Sequence, residues 1–268
     1  MDRTIIMTDL PAKPTNPPSE GTSAPLTSPA LAPGSPQQVM HDYLAFFRGR
    51  TVVLAILVLT ALFSLMTILV VRADLLPTFW DINVTHEIQE FPYMPLGAIL
   101  IAVSAPGFQP WNWIMIAALV VFFIFPLRRP VEAFFVGLAG AGGLLAEVVK
   151  GLVDRPRPTP EFVNVIGNLK SYSFPSGHVT GYTILFGFLF YLTFVHLHKR
   201  MPLRLFLLVF FALMVFLVGP SRVYMGQHWA SDALAGYALG FAYLLLIIEL
   251  YRFWMKRKTR TENAPRET

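Results

Sequence analysis

Three short polar segments of this chain carry residue types that could bind and transfer a phosphoryl group. In order they are KGLVDRPRP (150–158), PSGH (175–178) and SRVYMGQHWASD (221–232). They supply three cations and two imidazoles, namely Lys150, Arg157, Arg222, His178 and His228. Each segment borders an apolar run, and charged groups beside a bilayer are so costly that several together usually mark a working site. The pattern therefore favours an enzyme that acts on phosphate.

In the first segment, Lys150 and Arg157 are separated by a turn that neighbouring prolines prevent from continuing as a helix. An arginine presents a planar fork to two phosphate oxygens, whereas a lysine acts as a mobile point charge. We expect both to bind phosphate, although a lone cation at the end of a span also commonly extends to lipid headgroups. Glu147, one helical turn earlier, is expected to pair with Lys150. Arg155 is expected to make a headgroup or structural contact.

The second segment has the composition of an anion site at the start of a helix. Ser176 is a favourable N-cap residue, and Gly177 lets the backbone approach a ligand closely. The free N–H groups and the positive dipole end of such a helix attract a phosphate. His178 then projects from the first turn beside that anion, although an ordinary interfacial histidine would fit the same position. We predict that Ser176, Gly177 and His178 belong to the site.

The third segment places a histidine and a carboxylate at the start of the last apolar run. His228 and Asp232 are four residues apart, so on a helix they share one face and the carboxylate can accept a hydrogen bond from one ring nitrogen. That bond would fix the tautomer and leave the other nitrogen free to attack an electrophile. A structural His–Asp pair is the alternative. Arg222, just upstream, argues against it because it adds a third phosphate-binding cation.

The composition indicates an integral membrane protein. The chain has 268 residues, of which 54% are hydrophobic and 14% charged, whereas soluble domains carry about a quarter charged residues. Its net charge of +5 is better explained by membrane topology than by binding to nucleic acid. Because the chain has no cysteine, disulfides, thiolate catalysis and Cys-ligated metals are excluded.

Six apolar runs are long enough to cross a bilayer, which requires about 20 residues. They are 51–72, 111–127, 131–150, 179–197, 203–220 and 229–252. A further run, 95–105, is too short, and we assign it to an interfacial or re-entrant helix within a long first outer loop, 73–110. The predicted fold is therefore all-α, a bundle of six transmembrane helices in which the loops 73–110 and 159–174 border the site.

Six spans place both termini on one side of the membrane, and the basic residues indicate which side this is. Fifteen of the 21 Lys and Arg residues fall on the side of the termini and six on the other. Cytoplasmic loops are enriched in these residues, so we predict cytoplasmic termini, with the protein in a bacterial inner or plasma membrane. All three polar segments then lie at the extracytoplasmic face.

Three regions follow from this layout. Residues 1–45 are predicted to be a disordered, Pro-rich cytoplasmic tail, because their composition buries too little apolar surface to offset the entropy cost of ordering. Residues 46–255 form the membrane-embedded domain, and residues 256–268 form a short basic cytoplasmic tail.

The spacing of the polar residues resembles the type-2 phosphatidic acid phosphatase and vanadium haloperoxidase superfamily. The signature of that superfamily is Lys, six residues, Arg-Pro; then Pro-Ser-Gly-His; then Ser-Arg, five residues, His, three residues, Asp. The chain matches every fixed position, with Lys150, Arg157, Pro158, Pro175, Ser176, Gly177, His178, Ser221, Arg222, His228 and Asp232. The joint match is far more specific than any one of the three motifs.

This resemblance implies an integral membrane lipid phosphatase that needs no metal or other cofactor. His228, oriented by Asp232, would attack phosphorus to form a phosphohistidine, and His178 would protonate the leaving oxygen. The oxygens of the phosphoryl group would be held by Lys150, Arg157, Ser176, Gly177 and Arg222.

A site at the outer edge of the bilayer suits a lipid whose phosphate lies in water while its tail stays in the membrane. Phosphatidic acid, phosphatidylglycerophosphate and undecaprenyl diphosphate all have this form. A lipid phosphotransferase that uses the same intermediate is an alternative, whereas a vanadium haloperoxidase is disfavoured because those relatives are soluble. A non-catalytic transporter or lipid-binding protein would have no reason to keep both imidazoles together with Asp232.

Overall fold

A computed structural model of the chain describes residues 36–90, 94–167, 169–197 and 201–262. All regular structure in these ranges is helical, which confirms the predicted all-α class. The helices are α1 Pro36–Arg72, α2 Phe79–Gln89, α3 Met94–Ser104, α4 Trp111–Ile124, α5 Pro130–Gly140, α6 Gly143–Val153, α7 Gly177–His196, α8 Met201–Tyr224 and α9 Ala230–Glu262. A short 3-10 helix, Ala105–Gly107, follows α3.

Among the described residues, five stretches are long and apolar enough to cross a membrane, namely Gly49–Arg72, Pro130–Val153, Gly177–His196, Met201–Tyr224 and Ala230–Thr259. A sixth span exists if Pro95–Gly107 and Trp111–Ile124, which are bent by 67°, together form one broken span. α4 alone has 14 residues, about 21 Å of helix, whereas a hydrocarbon core is roughly 30 Å thick. The predicted span 111–127 is therefore too short by itself, and the helix predicted at 95–105 precedes it as α3.

The predicted span 131–150 is two helices, α5 and α6, rather than one. Glycines at positions 140, 142 and 143 surround the break, and glycine has a low helix propensity. They also let the break approach α7 closely, since a Cβ atom at Gly142 would lie 2.6 Å from Cδ1 of Ile184. A side chain there would push apart α6 and α7, which both carry candidate site residues.

α7 is the central helix of the bundle. It is more buried than the other candidate spans, and it contacts α5, α6, α8 and α9. Ile184 and Phe188 of α7 are fully buried, and they pack in one apolar cluster with Phe135 of α5, Val218 of α8 and Ile247 of α9. This packing fixes the first turn of α7 relative to the ends of its neighbours.

α2 lies in the outer loop 73–110, where only the helix 95–105 was expected. Thr78 and Asp81 form a capping box at its start, in which the N–H of Asp81 donates to Oγ1 of Thr78 at 3.1 Å and the N–H of Thr78 donates to the Asp81 carboxylate at 3.3 Å. The Thr-x-x-Asp spacing that specifies this box is visible in the sequence. Asp81 and Thr85 are both buried, because α2 packs against α8 and α9.

The predicted domain boundaries both fall within helices. α1 begins at Pro36, inside the segment 1–45 that was predicted as a tail, and α9 continues to Glu262, beyond the predicted end of the membrane domain at 255. Residues 1–35 and 263–268 lie outside the described residues, so the prediction of two cytoplasmic tails stays a prediction.

Candidate active site

The three polar segments lie at one end of the bundle, where α6 and α8 end and α7 and α9 begin. A cavity of about 480 Å³ lies among them. Five of the eight predicted site residues line this cavity, namely Lys150, Arg157, Gly177, His178 and His228. The other three, Ser176, Arg222 and Asp232, are fully buried and do not line it.

His228 is 1% exposed, and the contacts of its two ring nitrogens define its tautomer. Nη1 of Arg157 lies 3.2 Å from Nε2 of the ring, and Oγ of Ser173 lies 3.4 Å from Nδ1. Because a guanidinium only donates hydrogen bonds, Nε2 is the accepting nitrogen and the ring proton is on Nδ1. The lone pair on Nε2 accepts this bond, so it becomes available for attack on an electrophile when the Arg157 N–H turns to an oxygen of that electrophile.

Asp232 does not form the hydrogen bond to His228 that the four-residue spacing had predicted. Oδ2 of Asp232 lies 3.7 Å from Nδ1 of His228, which is beyond hydrogen-bonding distance. Ser173 bridges the gap, because its hydroxyl donates to Oδ2 of Asp232 and can accept from Nδ1–H of His228. The reason for the difference is that α9 begins only at Ala230, so His228 precedes the helix instead of lying on its face.

The electrostatic environment keeps His228 neutral. Burial lowers the pKa of His228 well below its usual range, and the positive charges of Arg157, Arg222 and Lys150 lower it further. A neutral imidazole retains the lone pair that a nucleophile needs. Near neutral pH, His228 is therefore in the form that can attack phosphorus.

Arg157 is held beside His228 by groups of the surrounding loops. Its Nε donates to the carbonyl of Ser171 at 2.6 Å, and Nη1 donates to the carbonyl of Gln227 at 2.5 Å. Nη2 donates to the hydroxyl of Ser171 at 3.0 Å and to the carbonyl of Tyr172 at 3.1 Å. All five N–H groups of Arg157 thus have partners, and the Nη1 N–H that points to His228 would bind an oxygen of a phosphate in place of Nε2.

Lys150 and Glu147 form the predicted ion pair, with Nζ 2.6 Å from Oε1. Lys150 is buried and Glu147 is half exposed, and both line the cavity. A Cβ atom at Gly177 would lie 3.1 Å from the Glu147 carboxylate and 3.3 Å from the Lys150 ammonium. Glycine at this position therefore leaves open the space beside the lysine.

Two polar groups at the start of α7, Oγ of Ser176 and Nε2 of His178, are buried without a hydrogen-bond partner among the described residues. Ser176 occupies the N-cap position, but its side chain does not accept the capping bond that was expected. The Phe108 ring packs edge-on against His178, with 4.8 Å between the ring centroids. Since buried polar groups normally have partners, these two groups could be satisfied by the oxygens of a bound phosphate ester.

Arg222 is fully buried and already has partners. Its guanidinium donates to Oε1 of Gln227 and, at 3.2 Å, to Oγ of Ser104, and it lies 5.1 Å from the centre of the Phe108 ring. Direct contact between Arg222 and a phosphate would therefore require Gln227 or Phe108 to move. The prediction that Arg222 binds phosphate stays a prediction, whereas its charge acts on the pKa of His228.

Ser173 was not expected in the site, and Arg155 was expected to make only a headgroup or structural contact. Arg155 is fully buried, and its Nη1 lies 2.6 Å from Oδ1 of Asp232, so a structural contact is confirmed.

Ser173 is 55 residues from His228 in the chain. Its position three residues before Ser176 was the only sign in the sequence that it could reach the site.

Within the described parts of the chain, no group of three or more His, Asp or Glu side chains is placed to hold a metal ion. Lys150 and Arg157 supply positive charge at the cavity, which is the role that a metal has in many phosphoryl-transfer sites. Chemistry without a metal or other cofactor stays a prediction.

Residues 130–256 match the PAP2 superfamily, and this segment contains all eight predicted site residues. The phosphatidylglycerophosphatase B of Bacillus subtilis (strain 168) is 33% identical over 113 residues, which cover 40% of this chain and 52% of that protein. The lipid A 1-phosphatase of Rhizobium etli is 29% identical over 168 residues, which cover 54% of this chain and 68% of that protein. The chain thus spans about half the length of the first of these relatives.

The fold also matches a solved structure. A transmembrane PAP2-type phosphatidylglycerolphosphate phosphatase from Bacillus subtilis superposes with a TM-score of 0.60 at 21% identity. The match covers 80% of this chain and 98% of that one. At this level of identity the likeness concerns the fold, and it agrees with the predicted membrane helical bundle.

Proposed function

Because residues 130–256 match the PAP2 superfamily, we propose that this protein is an integral membrane lipid phosphatase of that superfamily. It hydrolyses the phosphomonoester or pyrophosphate of a lipid through a phosphohistidine intermediate. One observation carries the proposal: an unprotonated Nε2 of His228 lies beside Arg157 at a cavity that Lys150 and His178 also line. These side chains are a nucleophile, two phosphate-binding cations and a proton donor.

In the first step, Nε2 of His228 forms a bond to phosphorus while the bond from phosphorus to the lipid oxygen breaks. His178 donates a proton to that oxygen, so the dephosphorylated lipid leaves. The positive charge on the phosphorylated ring of His228 is offset by Asp232 through Ser173. In the second step, His178 takes a proton from a water molecule that attacks phosphorus, and the phosphorus–nitrogen bond breaks to release inorganic phosphate.

The cations and polar groups around the cavity bind the phosphoryl oxygens during both steps. Lys150 and Arg157 are in place, and the hydroxyl of Ser176 and the amide of Gly177 add neutral donors. Preorganised donors of this kind are typically worth about 3 kcal/mol each in the transition state. Arg222 joins them if binding displaces Gln227 or Phe108.

Polar side chains of Gln109, Asn112, Lys170 and Ser171 also line the cavity, but its other walls are apolar, which favours a lipid as the substrate. They are formed by Trp113, Met115, Ile116, Leu144 and Leu185. The names of the relatives mention phosphatidylglycerophosphate and lipid A, so phosphorylated membrane lipids come first among the substrates to test. The distribution of Lys and Arg further favours cytoplasmic termini and a site at the extracytoplasmic face.

The first prediction concerns His228→Ala in the purified protein. Phosphate release should be measured in detergent micelles with phosphatidic acid, phosphatidylglycerophosphate and undecaprenyl diphosphate. Loss of the nucleophile should lower kcat by at least about a thousandfold, while the protein stays folded. His86→Ala is the matched control, because His86 is an exposed histidine of α2 outside the cavity, and it should keep wild-type turnover.

Turnover at the wild-type rate in His228→Ala would contradict the nucleophilic role. The same assay distinguishes the phosphotransferase alternative, since a phosphotransferase would yield a phosphorylated lipid acceptor in place of inorganic phosphate. Both proteins should also be incubated with a lipid whose phosphate carries radioactive phosphorus. Acid-labile label on the wild-type protein, absent from His228→Ala, would support the phosphohistidine.

A further inference from the structure

A chain of fully buried charges connects α2 to the carboxylate that supports the nucleophile. Asp81, Arg155 and Asp232 are each 0% exposed. Nη2 of Arg155 lies 2.8 Å from Oδ2 of Asp81, and Nη1 lies 2.6 Å from Oδ1 of Asp232. One guanidinium therefore bridges two carboxylates, one from the first outer loop and one from the last helix.

Asp81 also holds the first turn of α9. Its Oδ1 accepts the backbone N–H of Ser231 at 2.9 Å and the Ser231 hydroxyl at 2.7 Å. Its Oδ2 accepts from Arg155 and from the backbone N–H of Thr78. Since a carboxylate has about four acceptor positions, Asp81 is saturated, and α2 cannot shift without disturbing the start of α9.

Arg155 in turn determines how Asp232 is oriented. Oδ1 of Asp232 is occupied by Arg155, and Oδ2 is occupied by the Ser173 hydroxyl and the backbone N–H of Trp229. The Ser173 hydroxyl is the group that contacts Nδ1 of His228. Rotation of the Asp232 carboxylate would break this arrangement, and His228 would lose the contact that fixes its tautomer.

The charges explain why a second carboxylate is useful. Without Asp81, Arg155 and Asp232 would form a pair with no net charge. Such a pair would give little electrostatic stabilisation to a positively charged ring of His228. With Asp81 present, the three groups carry one net negative charge. That charge stabilises the ring when it becomes positive on bonding to phosphorus, because charges in a buried site are only weakly screened.

We propose that Asp81 is a positioning residue for catalysis, which acts on His228 through Arg155, Asp232 and Ser173 without contacting the substrate. This inference rests on the phosphatase function proposed above. It gives the buried face of α2, at Asp81, a part in holding His228 in position. A purely structural role would instead affect the stability of the protein and leave the turnover of the folded enzyme unchanged.

The direct test is Asp81→Asn in the full chain, with Asp74→Asn as the matched control. Asparagine keeps the size of the side chain, but it removes the charge and directs an N–H toward Arg155 or Ser231. For the lipid phosphate that the wild type hydrolyses fastest, we expect kcat to fall about tenfold to a hundredfold, with KM changed by less than about threefold. Asp74 is exposed on the same outer loop, and its variant should keep both constants.

Arg155 provides a second route to the same answer. Arg155→Lys keeps the charge, but a lysine cannot bridge two carboxylates with a planar fork, so kcat should fall by a similar factor. This variant tests the inference even if Asp81→Asn fails to fold. The double variant Asp81→Asn with Arg155→Gln should lose less than the product of the two single losses, because Asp81 acts on Asp232 chiefly through Arg155.

The outcomes separate this inference from the proposed function. If the wild type releases no phosphate from any lipid, the proposed function fails. If the wild type is active and His228→Ala is not, the result agrees with the proposed function. A wild-type value of kcat in Asp81→Asn or in Arg155→Lys would then overturn only the role of Asp81. Losses that multiply in the double variant would also overturn it, since they would show that the two residues act independently.

Discussion

At the scale of single residues, the surroundings of His228 keep it in the neutral form that its proposed role as nucleophile requires, at a pH where an ordinary histidine is partly protonated. An unperturbed histidine has a pKa of about 6.5. Burial lowers the pKa of His228 well below that value, and Arg157, Arg222 and Lys150 oppose a further positive charge. In the proposed mechanism Lys150 and Arg157 also bind the phosphate, so one cluster would both keep the nucleophile neutral and attract its target.

The pH dependence of kcat/KM follows from this arrangement. This constant reports the free enzyme, so its acid limb should lie below about pH 6.5, because His228 takes up a proton only at a lower pH. Arg157→Gln removes one of the repelling charges, which raises the pKa of His228 and should move the acid limb to higher pH. Phosphate release should be measured between acid and neutral pH and normalised to the plateau of each protein.

Arg72→Gln serves as the control for this experiment, because Arg72 is exposed at the end of α1. Its acid limb should coincide with that of the wild type. Identical acid limbs in Arg157→Gln and the wild type would refute the electrostatic account of His228, whatever the height of the plateau.

At the scale of helices, the site depends on the close approach of α9 to the first turn of α7. The backbone N–H of Ser176 donates to the carbonyl of Asp232 at 3.1 Å. One turn further along α9, a Cβ atom at Gly236 would lie 3.0 Å from the carbonyl oxygen of Ser176 and 3.0 Å from Cβ of Val179. A side chain at 236 would have to move backbone, so glycine here keeps together the two helix ends that carry candidate site residues.

We therefore expect Gly236→Ala to lower stability by about 1–3 kcal/mol, the usual cost of overpacking, and to lower kcat as well. Gly151→Ala is the matched control, because no atom lies within 4 Å of the Cβ position at this helical glycine. Alanine is the better helix former, so Gly151→Ala should equal or exceed the wild type in stability. Chemical denaturation in detergent measures the free energy of unfolding of each variant. Equal values for Gly236→Ala and Gly151→Ala would disprove the close-packing argument.

At the scale of the whole molecule, the bent pair Pro95–Gly107 and Trp111–Ile124 decides the topology. If the pair crosses the membrane, six spans put both ends of the chain on the same side. If it dips in and returns, five spans put the two ends of the chain on opposite sides of the membrane. The excess of Lys and Arg around the termini favours the six-span topology.

Cysteine labelling tests this topology, since the chain has no cysteine of its own. In intact cells, a membrane-impermeant maleimide should label Glu161→Cys, which lies on the side of the cavity, and should not label Leu127→Cys, which lies between α4 and α5. Both positions are exposed, so a difference reports sidedness and not burial. The reverse pattern would contradict six spans with cytoplasmic termini, and labelling after permeabilisation is the control for reactivity.

Much of the site was predictable because its residues occur in short motifs. Lys150, Arg157, His178 and His228 were expected from residue type and spacing, and all four line one cavity. The prediction of a direct hydrogen bond between His228 and Asp232 was wrong, because spacing on a helix was assumed for a residue that precedes α9. The capping box at Thr78 was visible in the sequence, but a short polar helix in an outer loop has no apolar periodicity that would reveal it.

The amino-acid sequence by itself determined the helical class, the membrane character and the set of chemical groups, because apolar run length and motif spacing are local properties of the chain. Only the tertiary structure decided which groups touch. It placed Ser173 between His228 and Asp232, joined Asp81 to Arg155, and surrounded Arg222 with partners. These contacts join residues far apart in the chain, and they depend on how closely α2, α7 and α9 pack, which no local pattern of residues encodes.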